Sequence, residues 1–508
     1  MAGNANLYAH FQQRFPTDLS QQLLVTAEGR SVSYGNADAA CARIASYLLQ
    51  LGAVPGDRVT VQVEKSVESL FLYLACLRAG LVYHPLNTAY KAAELEYFLA
   101  NAQPSIVVCS SGTQATMQSV LAGNAATTLL TLDADGSGSL MQGVSELSST
   151  MAGEAGIAHC DGDDMATLLY SSGTTGQPKG IMLSHDNLRE NALTLVQAWG
   201  FDASDRLLHM LPIYHVHGLF VAVSCVLMSG ASMAWHSAFS DQAALAALPD
   251  CTVMMGVPTF YTRLLANADF GPACCGTMRL FISGSAPLLT ETFNEFEKRS
   301  GHTILERYGM TETGINTSNP LIGERRAGTV GPALPGVTVR VVDDCGEGLA
   351  DGATGNIQVR GPNVFSGYWR MPEKTAEDFT GDGFFNTGDK ATIDADGYVS
   401  IVGRAKDMII SGGLNIYPKE IEQVIDDIPG IAESAVIGVA DADFGEVVLA
   451  VIVADGAAPG AAEVISACKA VLANFKLPKR VEFVESLPRN AMGKVQKNLL
   501  RDQFNAAD

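Results

Sequence analysis

Residues 59–84 read Val-Thr-Val-Gln-Val-Glu-Lys-Ser-Val-Glu-Ser-Leu-Phe-Leu-Tyr-Leu-Ala-Cys-Leu-Arg-Ala-Gly-Leu-Val-Tyr-His. The segment alternates like a strand over 59–63, offers Ser66 as a helix cap and runs through the apolar-periodic residues 70–77. It stops at Gly80 and resumes an extended run at 81–84. Strand, helix and strand in that order are the mark of a parallel crossover. Comparable apolar runs return at 106–109, 167–170, 252–256 and 279–283, with helical stretches between them. The expectation is an α/β protein whose large N-terminal part consists of stacked, mainly parallel sheets with helices on both faces.

Further along the chain the pattern changes twice. Residues 134–164, rich in Gly, Ser and Asp, read as a loose excursion. From 337 to 359 short alternating strands with Asp-Gly and Gly-Glu-Gly turns predict an antiparallel or barrel-like subdomain, extending to 403. Beyond Gly403 come a strand at 408–411, a helix from Pro418, strands at 434–439 and 447–453, a helix at 461–475 and a strand at 480–484. That is a small α+β C-terminal domain. The expected division is 1–403 and 404–508.

A chain of 508 residues exceeds what one compact core supports. Hydrophobic residues make up 47% of it and charged residues 17%, as in a folded globular protein. The formal net charge of −21 leaves no basic face for nucleic acid or an anionic membrane, so an anionic substrate has to be held by local donors. Residues 1–14 lack an apolar core flanked by basic residues, and no run approaches the roughly 20 apolar residues of a membrane span. No nucleic-acid partner, no membrane partner and a cytoplasmic location are expected. The ten cysteines form no Cys-x-x-Cys pair and read as reduced, mostly buried small hydrophobes.

Between two apolar runs lies Tyr170-Ser171-Ser172-Gly173-Thr174-Thr175-Gly176-Gln177-Pro178-Lys179-Gly180. Its glycines let backbone approach an anion, while its amides, four hydroxyls and the Lys179 ammonium supply donors for phosphate oxygens. It is not a Walker A loop, because Gly176 is not followed by Gly-Lys-Ser/Thr. A flexible linker is the alternative, and Pro178 and Lys179 have little use in one. The loop follows an expected strand, where ligands of parallel sheets bind.

Other motifs are individually open to two readings. His215 and His217 stand at i and i+2 in Pro212-Ile213-Tyr214-His215-Val216-His217-Gly218, as metal ligands on extended backbone, core histidines or polar active-site contacts. In Tyr308-Gly309-Met310-Thr311-Glu312, Glu312 suits Mg²⁺ held with substrate phosphates, Thr311 a phosphate and Tyr308 a base, although Thr-x-x-Glu patterns also cap helices. Thr387-Gly388-Asp389 and Gly403-Arg404-Ala405-Lys406-Asp407 are turns, or an Asp and Arg that grip a ribose diol. Lys494, in Pro488-Arg489-Asn490-Ala491-Met492-Gly493-Lys494, is a solvated charge or a functional lysine.

In order and spacing these five motifs together resemble the adenylate-forming superfamily of acyl-CoA synthetases across nearly the whole chain. The resemblance implies a two-step ligase using ATP, Mg²⁺ and coenzyme A, with a carboxylic acid converted first to an acyl-adenylate and then to a thioester. It implies that Ser171, Ser172, Gly173, Thr174, Thr175, Gly176 and Lys179 hold the β- and γ-phosphates and that Glu312 binds the metal. Thr311 would meet the α-phosphate, Tyr308 the adenine, and Asp389 and Arg404 the ribose, with Ser285 and Ala286 also beside the nucleotide. Lys494 would bridge carboxylate and α-phosphate. The C-terminal domain would pivot at Lys406, withdraw Lys494 and bring Ser411, Gly412 and Gly413 to line a passage for the pantetheine thiol.

Arg307, immediately before this Tyr-Gly-Met-Thr-Glu motif, directs a five-donor fork towards the acid; the alternative is an internal pair with Glu306 or a core carboxylate. Here, at His215-x-His217 and at Phe281-Ile282-Ser283-Gly284-Ser285-Ala286-Pro287-Leu288, the chain looks most like malonyl-CoA synthetases. That resemblance implies a short dicarboxylate, with Arg307 and Ser283 on its distal carboxylate and His215 guarding the acyl site. Val216 and Ile315 depart from the threonine and methionine of those relatives and make the pocket near the substrate C2 more apolar, which points to methylmalonate as well as malonate. The rival readings are a synthetase for a small monocarboxylic acid, a non-catalytic nucleotide sensor and a carrier-loading adenylation domain. Against the last of these, no carrier domain with its attachment serine is expected after Asp508. The setting of Lys494 also resembles sites of reversible lysine acetylation, which would remove its charge and make an acetyltransferase and deacetylase partners.

Overall fold

The computed structural model describes residues 3–123, 126–147, 155–171, 178–411, 414–441, 444–456, 459–472, 474–490 and 493–505. Residues 172–177 of the glycine-rich loop, and Gly412 and Gly413, therefore lie outside the described residues.

The crossover expected from the opening stretch is present. Strand Arg58–Gln62 pairs in parallel with Val82–Pro85, and helix Val67–Arg78 connects them. Ser66 caps that helix reciprocally with Ser69: the Ser69 N–H donates to the Ser66 hydroxyl at 3.1 Å and the Ser66 N–H to the Ser69 hydroxyl at 2.8 Å. Every residue of the helix is buried, so packing on both sides rather than an amphipathic face holds it. These strands belong to a seven-stranded sheet with Ile106–Cys109, Thr128–Thr131, Met165–Ser171, Lys179–Ser184 and Gly367–Tyr368.

An eight-stranded sheet stacks beside it. Its centre, Gln22–Thr26, Ser232–Trp235, Arg206–His209, Val253–Gly256, Leu280–Ser283 and Ile304–Met310, is parallel throughout, and its two edge pairings, to Ser31–Ser33 and Gly314–Ser318, are antiparallel. One apolar core spans both sheets, from Leu72 and Val108 to Leu207 and Ile282.

The segment expected as antiparallel or barrel-like is a four-stranded antiparallel sheet, Thr338–Val342, Gly355–Arg360, Phe385–Ile393 and Val399–Arg404. Backbone bonds from residues 330–334 to Val399, Asn316 and Ser318 tie it to the eight-stranded sheet. The chain leaves it at Arg404, makes a short turn and enters the C-terminal sheet at Ile409. That sheet joins Ile409–Ser411, Leu414–Ile416, Gly445–Ala454, Ile431–Asp441 and Arg480–Val484 around a separate apolar cluster, with helices Pro418–Asp426 and Ala461–Val471 packed on it.

Three expectations need correction. The excursion at 134–164 contains a helix, Ser139–Glu146, which buries Leu140 and Val144 one turn apart. The helix expected at 461–475 ends at Val471, where Leu472 turns extended. A further helix, Lys497–Asn505, was not read from the sequence because Leu500 is its one fully buried residue, with Phe504 partly buried beside it. The cysteines are all free, eight of them buried, and among the described residues no helix is long and apolar enough to cross a membrane.

Candidate active site

Strand Ile304–Met310 brings most of the chemistry together. It runs parallel to Leu280–Ser283 with Ser283 opposite Glu306, and then turns back through 311–313 into Gly314–Ser318. Thr311 and Glu312 thus sit in a turn between two strands and cap no helix. Glu306 and Arg307, adjacent in sequence, take different partners. A Glu306 carboxylate oxygen accepts the Leu288 N–H at 2.9 Å, and burial pushes its pKa up to about 7.

Arg307 is only 5% exposed and makes no ion pair among the described residues. Its Nε and Nη2 are buried without a partner among the described residues. Burial pulls its pKa down to about 10, which still leaves it charged at neutral pH. Gly284 is what seats it: a Cβ there would overlap the guanidinium. This is the informative glycine of the 281–288 segment, and its sequence neighbours give no sign of the approach.

Two further buried polar groups, the Ser283 hydroxyl and His217 Nε2, lack partners among the described residues, while His217 Nδ1 is 3.2 Å from the Ser285 hydroxyl. Ser285 itself has φ +71°, one of three non-glycine residues in the left-handed region among those described. His215 is half-buried and accepts the His217 N–H on Nδ1 at 3.3 Å; burial first, then Lys494 and Arg307, push its pKa down to about 3. The two histidines stand on a tight turn entering the π-helical turn His217–Val223 rather than on extended backbone. Among the described residues no group of three or more His, Cys, Asp or Glu could hold a metal ion. His217 is the more deeply buried of the pair, a difference that the i,i+2 spacing does not reveal.

The other corner is fully bonded. Tyr308 donates its hydroxyl to Asp389 at 2.5 Å, and Arg404 Nε pairs with the other Asp389 oxygen at 2.8 Å. Arg404 also donates to the Thr387 carbonyl at 3.3 Å, and Asp389 N–H to the Thr387 hydroxyl at 3.1 Å. Thr387-Gly388-Asp389 is a strand segment, with Gly388 at φ +74°, and not a turn.

Between the two corners Glu312 is buried with its pKa raised by burial, partly offset by Arg404 and Lys179. Lys494 reaches the same space from the C-terminal domain. Lys494 is exposed to solvent; loss of hydration and then Arg404 lower its pKa, while Asp389 and Glu312 raise it. Its loop is closed by Lys494 N–H donating to Asn490 Oδ1 at 3.0 Å, with Gly493 at φ +74°.

The stems of the glycine-rich loop are pinned. Tyr170 donates to Asn101 Oδ1 at 2.6 Å and Tyr97 to the Pro178 carbonyl at 2.5 Å. Lys179 lies 3.5 Å from Asp378 and 4.2 Å above the Tyr368 ring. Ala286 is half-buried next to Ser285. Val216 and Ile315 pack into the core: Val216 lines a small cavity with Leu188, Asn191, Phe220 and Gly314, and Ile315 exchanges both backbone bonds with the Asn191 amide. Ser411 is in the C-terminal sheet, opposite Leu414 and Gly445. Burial and Arg404 push Lys406 down to about 8 in the turn between the last two sheets.

One bonded and one unsatisfied group of polar side chains, on stacked parallel sheets with a small C-terminal domain, is the arrangement of an acid-activating ligase. The chain belongs to the AMP-binding enzyme family: residues 11–369 match the AMP-binding enzyme model and residues 420–494 the AMP-binding enzyme C-terminal domain. It is an ATP-dependent acid–CoA ligase of that family. The malonate–CoA ligase of Arabidopsis thaliana is 34% identical over 533 aligned residues, covering 94% of this chain and 86% of that protein. The ATP-bound crystal structure of MatB from Rhodopseudomonas palustris is 51% identical, covers 99% of both chains and superposes with a TM-score of 0.96. The apo form of that same protein, at the same identity and coverage, superposes with 0.85. The present arrangement thus resembles the ATP-bound form more closely than the apo one.

Proposed function

We propose that the enzyme activates a short dicarboxylate, malonate foremost. A carboxylate oxygen attacks the α-phosphorus of ATP, pyrophosphate leaves and an acyl-adenylate remains; the sulfur of coenzyme A then attacks the acyl carbon and AMP departs. One observation carries the choice of acid: Arg307 is buried and charged, with two N–H groups that have no partner among the described residues. A buried charge without a partner is costly, and a second carboxylate on the substrate supplies one through bidentate, charge-assisted bonds. Glu306 does not fill that role, being engaged with Leu288. The malonate–CoA ligases among the relatives support the same reading.

His215, neutral at physiological pH, borders the reacting carboxylate as a hydrogen-bonding group. Lys494 bridges that carboxylate and the α-phosphate, where a fixed charge in a dry site contributes on the order of several kcal/mol to the transition state. Thr311 meets the α-phosphate. Asp389 and Arg404 bind the ribose, with Tyr308, Ser285 and Ala286 about the adenosine. Ser171, Ser172, Gly173, Thr174, Thr175, Gly176 and Lys179 take the β- and γ-phosphates. Glu312 fits a magnesium ion, because it is a buried carboxylate with no ion pair among the described residues and such an ion needs few protein ligands beside phosphates. The ion supplies neutralisation of phosphate charge.

The C-terminal domain, 404–508, turns about Lys406 after adenylation to bring Ser411, Gly412 and Gly413 to the thiol; the two TM-scores for one relative support two arrangements. Acetylation of Lys494 would abolish the first step, and a cytoplasmic location suits the substrates. Val216 and Ile315 are apolar and core-packed and offer an acid no polar contact, so methylmalonate falls within the proposed range.

Pyrophosphate release with Mg-ATP and coenzyme A tests this across acetate, butyrate, benzoate, malonate, methylmalonate and succinate, beside Arg307→Ala. Turnover restricted to short diacids and lost in the variant is expected; turnover on monoacids overturns the assignment. A hundredfold deficit for methylmalonate against malonate removes it from the range.

A further inference from the structure

Lys65 follows strand Arg58–Gln62 of the seven-stranded sheet, is only 8% exposed, and faces no carboxylate among its bonded partners. Its ammonium has three donors and meets three acceptors: His209 Nδ1 at 2.8 Å, the His209 carbonyl at 3.1 Å and the Leu211 carbonyl at 3.0 Å. The Trp235 ring lies 4.2 Å away. All these partners belong to the eight-stranded sheet or to the segment that leaves it, so one side chain joins the carboxyl ends of two sheets.

The second half of the arrangement is His209. Its Nε2 lies 2.8 Å from the Gly218 carbonyl, which can only accept, so Nε2 carries the proton and Nδ1 is the acceptor for Lys65. His209 thus stands where the loop 210–217 leaves its strand and bonds to the point where that loop returns. The neck is tight: a Cβ on Gly218 would overlap the Pro212 carbonyl oxygen. The loop so closed carries His215 and His217.

We propose that Lys65 and His209 are positioning residues for adenylation: together they clamp the neck of the 210–217 loop and fix the two histidines against the acid, without touching substrate. This inference rests on the placement of the acid beside His215 and Arg307. It makes the carboxyl end of one sheet the mounting for acid chemistry on the other, and leaves the nucleotide corner untouched.

The test is steady-state turnover with malonate, together with calorimetric Kd for Mg-ATP in the absence of acid, on full-length Lys65→Met, His209→Phe, His209→Gln and Lys65→Met/His209→Phe. Lys65→Met and His209→Phe are expected to lower kcat/KM for the diacid at least thirtyfold with Kd for ATP within threefold. The double variant should lose no more than the worse single one, since both act through one clamp. His209→Gln, which still reaches the Gly218 carbonyl, should recover most of the loss. Unchanged kcat/KM in both single variants overturns the inference. So does an equal loss of ATP affinity, or costs that multiply. Should Lys65→Met not yield folded protein, the contrast between His209→Phe and His209→Gln decides alone. Arg307→Ala in parallel separates the two readings: if it retains diacid turnover, the placement of the acid fails, whereas if it alone loses turnover, the clamp fails.

Discussion

The nucleotide corner and the acid corner of the cleft are built on opposite principles. Tyr308, Asp389, Arg404 and Thr387 saturate one another, so that corner is stable when empty and must exchange its internal bonds for those of a ribose. Arg307 and His217 hold buried polar atoms without partners among the described residues, so that corner is costly when empty and gains when an anion arrives. The first recognises by substitution, the second by completion. An incomplete corner discriminates better, because an acid lacking the second carboxylate leaves the existing deficit in place.

The largest effect that would break this contrast lies in Arg307→Met. Turnover of a diacid should fall at least a thousandfold, about 4 kcal/mol by the usual conversion and within the range for removing one partner of a buried charge pair. The same variant should unfold at an equal or higher temperature than the parent without ligand, since an uncompensated buried charge has been exchanged for an apolar chain of similar length. Saturating malonate should then no longer raise its Tm. A large fall in the ligand-free Tm would mean that Arg307 is already paired in the empty enzyme.

A smaller effect of opposite pattern is expected from Asp389→Ala. It strands the Tyr308 hydroxyl and the Arg404 guanidinium together, so the ligand-free protein should lose about 1–3 kcal/mol while ATP affinity falls roughly 10- to 100-fold. Chemical denaturation and calorimetry on the same preparation read both. If affinity falls without loss of stability, the saturated corner does nothing for the fold and the contrast with Arg307 weakens.

How much of this was legible beforehand divides along the same line. The capped crossover at 58–85 and the parallel strands could be read because apolar runs and caps are local signals, and Tyr308, Asp389 and Arg404 only through the family resemblance of the motifs that hold them. The Ser139–Glu146 helix was hidden in a composition typical of loops, and Lys497–Asn505 by having a single fully buried residue. In the acid corner the sequence offers Arg307 but not the reason it stays unpaired. That depends on Glu306 turning to Leu288 and on Gly284 admitting the guanidinium, both of which require knowing which strands are neighbours. Lys65 and His209, separated by 144 positions, leave no pattern in the sequence at all.

The smallest predicted effect sharpens the comparison by changing the neighbour rather than the anchor. Burial is the main cause that raises Glu306 to about 7 from an ordinary 4.5, with the Leu288 bond, Lys419 and Arg307 opposing it. A carboxyl whose folded pKa is raised contributes stability fully present below about 4.5 and lost as pH rises through about 7. Glu306→Gln keeps an acceptor for the Leu288 N–H but cannot ionise. Its stability relative to the parent should therefore climb between pH 4.5 and pH 7 and level off above, by up to ~3 kcal/mol. Ionised Glu306 is also the negative charge nearest in sequence to Arg307. Were it the true partner, the variant would become less stable than the parent as pH rises, and malonate affinity would increase as the competing carboxylate disappeared. Were Arg307 held in reserve for substrate, diacid KM at pH 8 should change by less than threefold while the stability difference is at its largest. Melting curves and malonate titrations across pH 5 to 8 measure both quantities on one pair of proteins, and a falling stability difference joined to tighter malonate binding would show the acid corner to be saturated like its neighbour.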